Sequence, residues 1–188
     1  MIILLVIIAI IVIFVLWLFI GGRNNLVRLS NGVDNAFAQI STQLQRRYDL
    51  IPNLVETVKG YAKHEDAVFS KVTEARAAAS KAIQTGSAQD VAAAQDTMGQ
   101  ARLAINAVAE QYPDLKANQN FLSLQEELTS TENKVAYARQ AYNDSVMSYN
   151  NGIEVFPTVL IAGMFGYHKK TMFEVENEAA KEAPKVSF

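Results

Sequence analysis

A chain of 188 residues without cysteine can hold no disulfide, thiolate zinc site, iron–sulfur cluster or cysteine nucleophile. Its formal net charge of −2 offers no basic face or stripe for nucleic acid, so no nucleic-acid partner is expected. Once an anchor is set aside, roughly 165 residues remain, enough for one domain with one sizeable core.

Ile2 to Ile20 is an unbroken apolar run of 19 residues. A helix of that length spans about 28 Å, close to the hydrocarbon thickness of a bilayer. Trp17 and Phe19 stand near its end, where aromatic rings favour the membrane interface, and Gly21-Gly22-Arg23 closes it. A cleaved leader would need a charged start, a shorter apolar core and a small-residue cleavage site, and these are missing. The run therefore predicts a transmembrane anchor over 1–22, with residues 2–20 in the lipid bilayer. Arg23 and Arg28 follow the span, which by the positive-inside rule puts the N-terminus outside and the main domain in the cytoplasm. Ala9 is the lone small residue inside it, so tight pairing of the anchors themselves is not indicated.

Four helical stripes follow. Leu26, Leu29, Val33, Ala36, Ile40, Leu44, Tyr48, Ile51, Val55, Val58 and Ala62 recur at a spacing near 3.6. Pro52 removes the hydrogen bond to the Tyr48 carbonyl, so a kink or break is expected there, splitting this first segment. Val68, Val72, Ala75, Ala79 and Ile83 form an Ala-rich stripe that permits close helix approach. Thr85-Gly86-Ser87 ends it, and Ser87 with Asp90 resembles a capping box. Val91, Ala94, Met98, Ala101, Ile105, Val108 and Tyr112 mark the next helix, stopped by Pro113. Phe121, Leu124, Leu128, Thr131, Val135, Ala138, Tyr142, Val146 and Tyr149 mark another, with Asn150-Asn151-Gly152 as its expected C-cap. The reading is an all-α protein: an N-terminal transmembrane helix, then a long antiparallel bundle of three to four helices over 23–152.

The remainder, 153–188, opens with the apolar stretch IEVFPTVLIAGMFGY, too short and too broken by Pro157, Gly163 and Gly166 to span. Three readings stay open: a segment covering the bundle, an interfacial segment with Phe156, Phe165 and Tyr167 as wedges and Lys169 and Lys170 towards headgroups, or an oligomer contact. Met172 to Ala183 reads as a short acidic helix. A partner could capture the terminal Phe188 carboxylate after Pro184.

No catalytic, cofactor or metal residue can be assigned, and no enzyme is expected. His64-Glu65 lacks the second histidine of a zinc protease motif, and His168 stands beside two lysines. No phosphate loop, serine elbow or di-iron Glu-x-x-His pair occurs. The polar cluster worth weighing is Arg46, Arg47 and Asp49 with Pro52 and Asn53. Either an arginine bonds to the freed carbonyl or to a carboxylate such as Glu132, fixing register, or the cluster is an anion or partner site.

At these residues the chain resembles the LemA family. The run RRYDLIPNLVETVKGYAKHE (Arg46 to Glu65) carries the likeness, with YPDLKA from Tyr112 and NFLSLQEELTSTEN from Asn120. Ala138-Arg139, Tyr142-Asn143, Tyr149-Asn150, Phe156-Pro157 and the Pro-Lys-Val-x-Phe ending extend it over nearly the whole chain. Asn24 departs from the tyrosine frequent there. The resemblance implies a bacterial inner- or plasma-membrane protein with a long helical bundle and no known enzymatic activity. The family's gene neighbourhoods hint at envelope quality control. The expectation is a single-pass scaffold that forms a homo-oligomer; the alternative is a monomeric adaptor for a membrane protease or another membrane partner.

Overall fold

The computed structural model describes residues 1–62 and 65–173. Six helices occur among them and no strand: α1 (Ile2–Lys59), α2 (Asp66–Thr85), α3 (Ala88–Gln111), α4 (Pro113–Lys116), α5 (Gln119–Glu154) and α6 (Thr158–Phe165). The fold is the expected all-α one. His64 and residues 174–188, which include most of the expected acidic helix and the terminal carboxylate, lie outside the described residues. Met172 and Phe173, where that helix was to begin, are not helical.

α1 runs 58 residues without a break, so span and bundle helix are one rod of about 87 Å. The expected split at Pro52 does not occur. An interior proline costs about 3 kcal/mol. Here Leu50, Ile51 and Leu54 are buried on both sides of it, and their packing holds the helix through the lost hydrogen bond. Nor do Gly21 and Gly22 interrupt it. The apolar run is long enough to cross a membrane, and none of it is buried within the protein.

The inward face of α1 differs from the expected stripe in its second half. Ile40, Leu44, Arg47, Ile51, Leu54 and Val58 point into the bundle at steps of three and four, while Tyr48 and Val55 are only partly covered. These steps average 3.6, the period of the helix itself, and the phase they keep turns an arginine inward where Tyr48 was expected.

α5 lies along α1, and the α2–α3 hairpin completes a bundle of four helices. The Ala-rich faces do pack closely: Ala75, Ala79, Ala82, Ala94 and Ala101 are all buried. Gly86 ends α2 in the left-handed conformation (φ 63°) that favours glycine. Ser87 occupies the N-cap position of α3, but the expected capping box does not form: its side chain makes no cap hydrogen bond. The Asp90 carboxylate instead accepts from Lys81 Nζ and Thr85 Oγ1, both at 2.7 Å, tying the two helix ends together. The Lys81 hydrogen bond, then that of Thr85, holds the Asp90 carboxyl below the usual carboxylate range. A depressed carboxyl adds stability above its unfolded pKa and loses it as pH falls through the folded one. Amide exchange at Gly86 and Val91 should therefore accelerate only in acid below the ordinary carboxylate range. In Asp90→Asn that acid step should be absent.

At the far end, Pro113 occupies the first turn of α4 and Leu115 is fully buried. Asn118 caps α5, its Oδ1 accepting from the Phe121 amide at 3.0 Å. The predicted C-cap at Gly152 is not one: α5 continues to Glu154, with Val155 as its cap. Gly152 serves packing instead. A Cβ there would lie 2.5 Å from Leu29 Cδ1, so glycine lets α5 approach α1 closely.

Candidate membrane-proximal site

Two apolar clusters fill the bundle. The first joins Leu26, Val33, Ile40 and Leu44 to Val91, Val135, Val146 and Tyr149. The second joins Ile51, Leu54 and Val58 to Val72, Ile105, Leu115, Phe121 and Leu128. Between them lies a polar layer. Arg47 is 4 % exposed, and its Nε finds no hydrogen-bond partner; the same is true of Gln43 Oε1 one turn earlier. Burial pulls the Arg47 guanidinium below its usual value, the Glu132 carboxylate raises it, and Arg102 lowers it again. Glu132 itself is hydrogen-bonded by Arg102 of α3. Thr131 is fully buried and donates to the Leu128 carbonyl at 2.8 Å.

The polar cluster named from the sequence is thus divided. Arg46 reaches across to Glu127 of α5, with Nε at 3.0 Å. Asp49 accepts from Gln45 at 2.9 Å, and the Asn53 carbonyl accepts from Thr57 at 2.8 Å, both within α1. Arg47 alone enters the core, facing Glu132. Of the named arginines, Arg46 makes the cross-helix ion pair, with Glu127 rather than Glu132, and Glu132 is held by Arg102, which lies outside that cluster.

The most elaborate construction lies at the other end, where the α2–α3 hairpin stops and α1 and α5 continue towards the span. The chain turns after Glu154, enters α6, and returns at 167–173 as an irregular strap along α5. Two asparagines of α5, seven residues apart and so on one face, hold the strap by its backbone. Asn150 Nδ2 donates to the Lys170 carbonyl and its Oδ1 accepts from the Lys170 amide, each at 2.9 Å. Asn143 repeats the pair on Phe173, at 3.0 and 2.8 Å. The preceding tyrosines add to it: Tyr149 Oη donates to the His168 carbonyl at 3.0 Å and Tyr142 Oη to the Thr171 carbonyl at 3.2 Å. Burial pushes both phenols up, and each is raised further by nearby groups, Asp34 among them. Lys170 reaches over the Tyr149 ring to Asp34 of α1 at 2.7 Å, and Lys169 pairs with Glu154. Phe173 closes the strap, edge-on to Tyr142 at 5.0 Å between ring centres, with Arg139 over its face.

The sequence carried a sign of this clamp: Tyr-Asn recurs at 142 and 149, one heptad apart. Its role was not legible, because nothing in a dipeptide says that its amide will meet a distant backbone. His168 contributes its carbonyl here.

α6 lies across this end against α1 and α5. Thr158, Ile161 and Ala162 face inward, and the Thr158 hydroxyl donates to the Gly152 and Val155 carbonyls at 2.6 and 2.9 Å. Gly22 makes room for them: a Cβ there would stand 2.5 Å from Ile161 Cδ1. Phe165 packs 5.8 Å from the Phe19 ring, with Arg23 over it at 5.0 Å. Of the three readings for this segment, covering the bundle holds for one face of α6.

Comparison with known proteins gives the chain's family. The LemA family model matches residues 36–188. Among curated proteins, Protein LemA of Metamycoplasma hominis is 27 % identical over 159 residues, covering 84 % of this chain and 71 % of that protein. A magnetosome protein, MamQ 2 of Paramagnetospirillum magneticum, is 24 % identical over 174 residues, 80 % of this chain and 64 % of its own length. MamQ of Magnetospirillum gryphiswaldense is 24 % identical over 72 % of this chain, which spans 58 % of it. With the family model covering all but the first 35 residues, and an apolar helix long enough to anchor it in a membrane, the chain belongs to the LemA family.

Proposed function

We propose that this protein is a single-pass, non-enzymatic scaffold of the bacterial cytoplasmic membrane that self-assembles, its bundle on the cytoplasmic side. The observation that carries the reading is the unbroken α1. With no flexible joint between span and bundle, copies in one membrane present their sides in a common orientation. That lowers the orientational cost of association, which otherwise opposes binding. The outer surfaces of α3 and α5 offer Leu103 and Tyr137, both large and well exposed, as contacts. Arg23 and Arg28 after the span support the cytoplasmic placement.

The test is the mass and shape of particles taken from the membrane in native lipid discs. An ordered assembly of many copies is expected, and Leu103→Asp with Tyr137→Asp should reduce it to small particles of unchanged helicity. A single copy in the wild-type disc would overturn self-assembly. One copy with a second protein would do the same and would identify the chain as an adaptor.

A further inference from the structure

α6 is apolar on every side, yet the protein covers only one of them. Ile161 and Ala162 are buried, whereas Leu160 and Met164, one turn apart on the opposite side, are 62 % and 73 % exposed. Phe156, in the turn just before the helix, is 79 % exposed. The helix has one polar side chain, Thr158, and it is turned inward with its hydroxyl bonded to backbone. A helix bathed in water carries polar residues on its outer face; one that is apolar all round belongs in a core or in lipid.

The position of α6 decides between these. Ile161 and Thr158 pack on Gly22, and Phe165 packs on Phe19. Ile20 is the last residue of the apolar run, so α6 stands within about one helical turn, roughly 5 Å, of the end of the span. That is the boundary between headgroups and acyl chains, where amphipathic interfacial helices place their apolar side. Arg23 lies over the Phe165 ring and Lys169 follows the helix, so cations stand at headgroup level beside it.

We propose that α6 lies in the membrane interface, with Phe156, Leu160 and Met164 against lipid acyl chains. It is a second attachment beside the span. Because it is packed on α1 and clamped through the strap to α5, it fixes the tilt and rotation of the bundle relative to the bilayer. The inference rests on membrane anchoring by residues 2–20 and is independent of self-assembly, so either can fail alone.

The chain has no cysteine, so Leu160→Cys and Met164→Cys each accept a single polarity-sensitive NBD label. Glu110→Cys, at the far end of the bundle, is the control. The labelled full chains are reconstituted at one copy per nanodisc of phosphatidylcholine and phosphatidylglycerol, with and without bromine near the top of the acyl chains. Both α6 labels should emit to the blue of the control and lose intensity with brominated lipid, while the Glu110 label should do neither. Labels on α6 that emit as in water overturn the proposal. A blue shift that brominated lipid does not quench, or that appears only when several copies share a disc, also overturns it, because protein then covers the face. Particle mass from native discs reports on self-assembly separately.

Discussion

Glu132→Ala should destabilise the bundle by about 1–2 kcal/mol, more than an exposed ion pair is worth. The reason is Arg47, not Arg102. Arg102 is partly exposed, so water can take over when Glu132 is gone. Arg47 is buried, its Nε already lacks a partner, and the Glu132 carboxylate is the charge that raises its pKa against burial. Glu132 pairs with Arg102 and not with Arg47, so it acts on Arg47 through space, and its loss costs less than the roughly 3–5 kcal/mol of breaking a buried ion pair. The Glu132 side chain is 50 % exposed, so solvent screens the interaction further. Arg47→Met should be neutral or stabilising, since it joins the two apolar clusters across the polar layer. In the Arg47→Met background, Glu132→Ala should cost less than about 1 kcal/mol, the range of an ordinary surface pair. Thermal unfolding of the full chain in micelles, followed by helical circular dichroism, closes this cycle. Equal costs of Glu132→Ala in both backgrounds would show that the carboxylate does not serve Arg47.

Replacing both Asn143 and Asn150 by alanine should release the strap. Four hydrogen bonds to partly buried backbone are lost together, and each contributes about 0.5–1.5 kcal/mol net. The local loss is then about 2–6 kcal/mol, enough to open a segment whose other ties include two tyrosine hydroxyls, two lysine ion pairs and the Phe173 ring. Amide exchange reads it directly. Protection at Lys170 and Phe173 should collapse, while amides beside Leu54 and Val135 in the two cores keep theirs. Asn→Asp at either position keeps the acceptor and loses the donor, so it should give an intermediate effect. Protection that survives in the double alanine variant would mean that the remaining ties hold the strap without the asparagines.

Much of the fold was legible in the residues. The apolar run from Ile2 to Ile20 has one economical reading in any context, because its length matches a bilayer. The stripes of α2, α3 and α5 recur at helical spacing, and burial follows them almost residue by residue, since the period of a helix is a local property. Gly86 and Pro113 end their helices for reasons contained in one residue each. What the sequence could not settle was decided by energies summed over distance. Pro52 reads as a break, but the apolar contacts on both sides of it outweigh one hydrogen bond. Gly152 reads as a cap, but α5 runs on through it to Glu154, and Leu29, some 120 residues away in the chain, packs where its Cβ would stand. The phase of α1 beyond Leu44 depends on whether Arg47 or Tyr48 turns inward, and the Glu132 carboxylate on another helix is what makes Arg47 tolerable there. The Tyr-Asn pairs read as family signature alone until the strap lies across them. α6 reads as a short apolar segment of open destination until Gly22 and Phe19 place it beside the span. Local period and length determined the elements; the partners that only folding brings together decided where they end, which face they turn inward and what they hold.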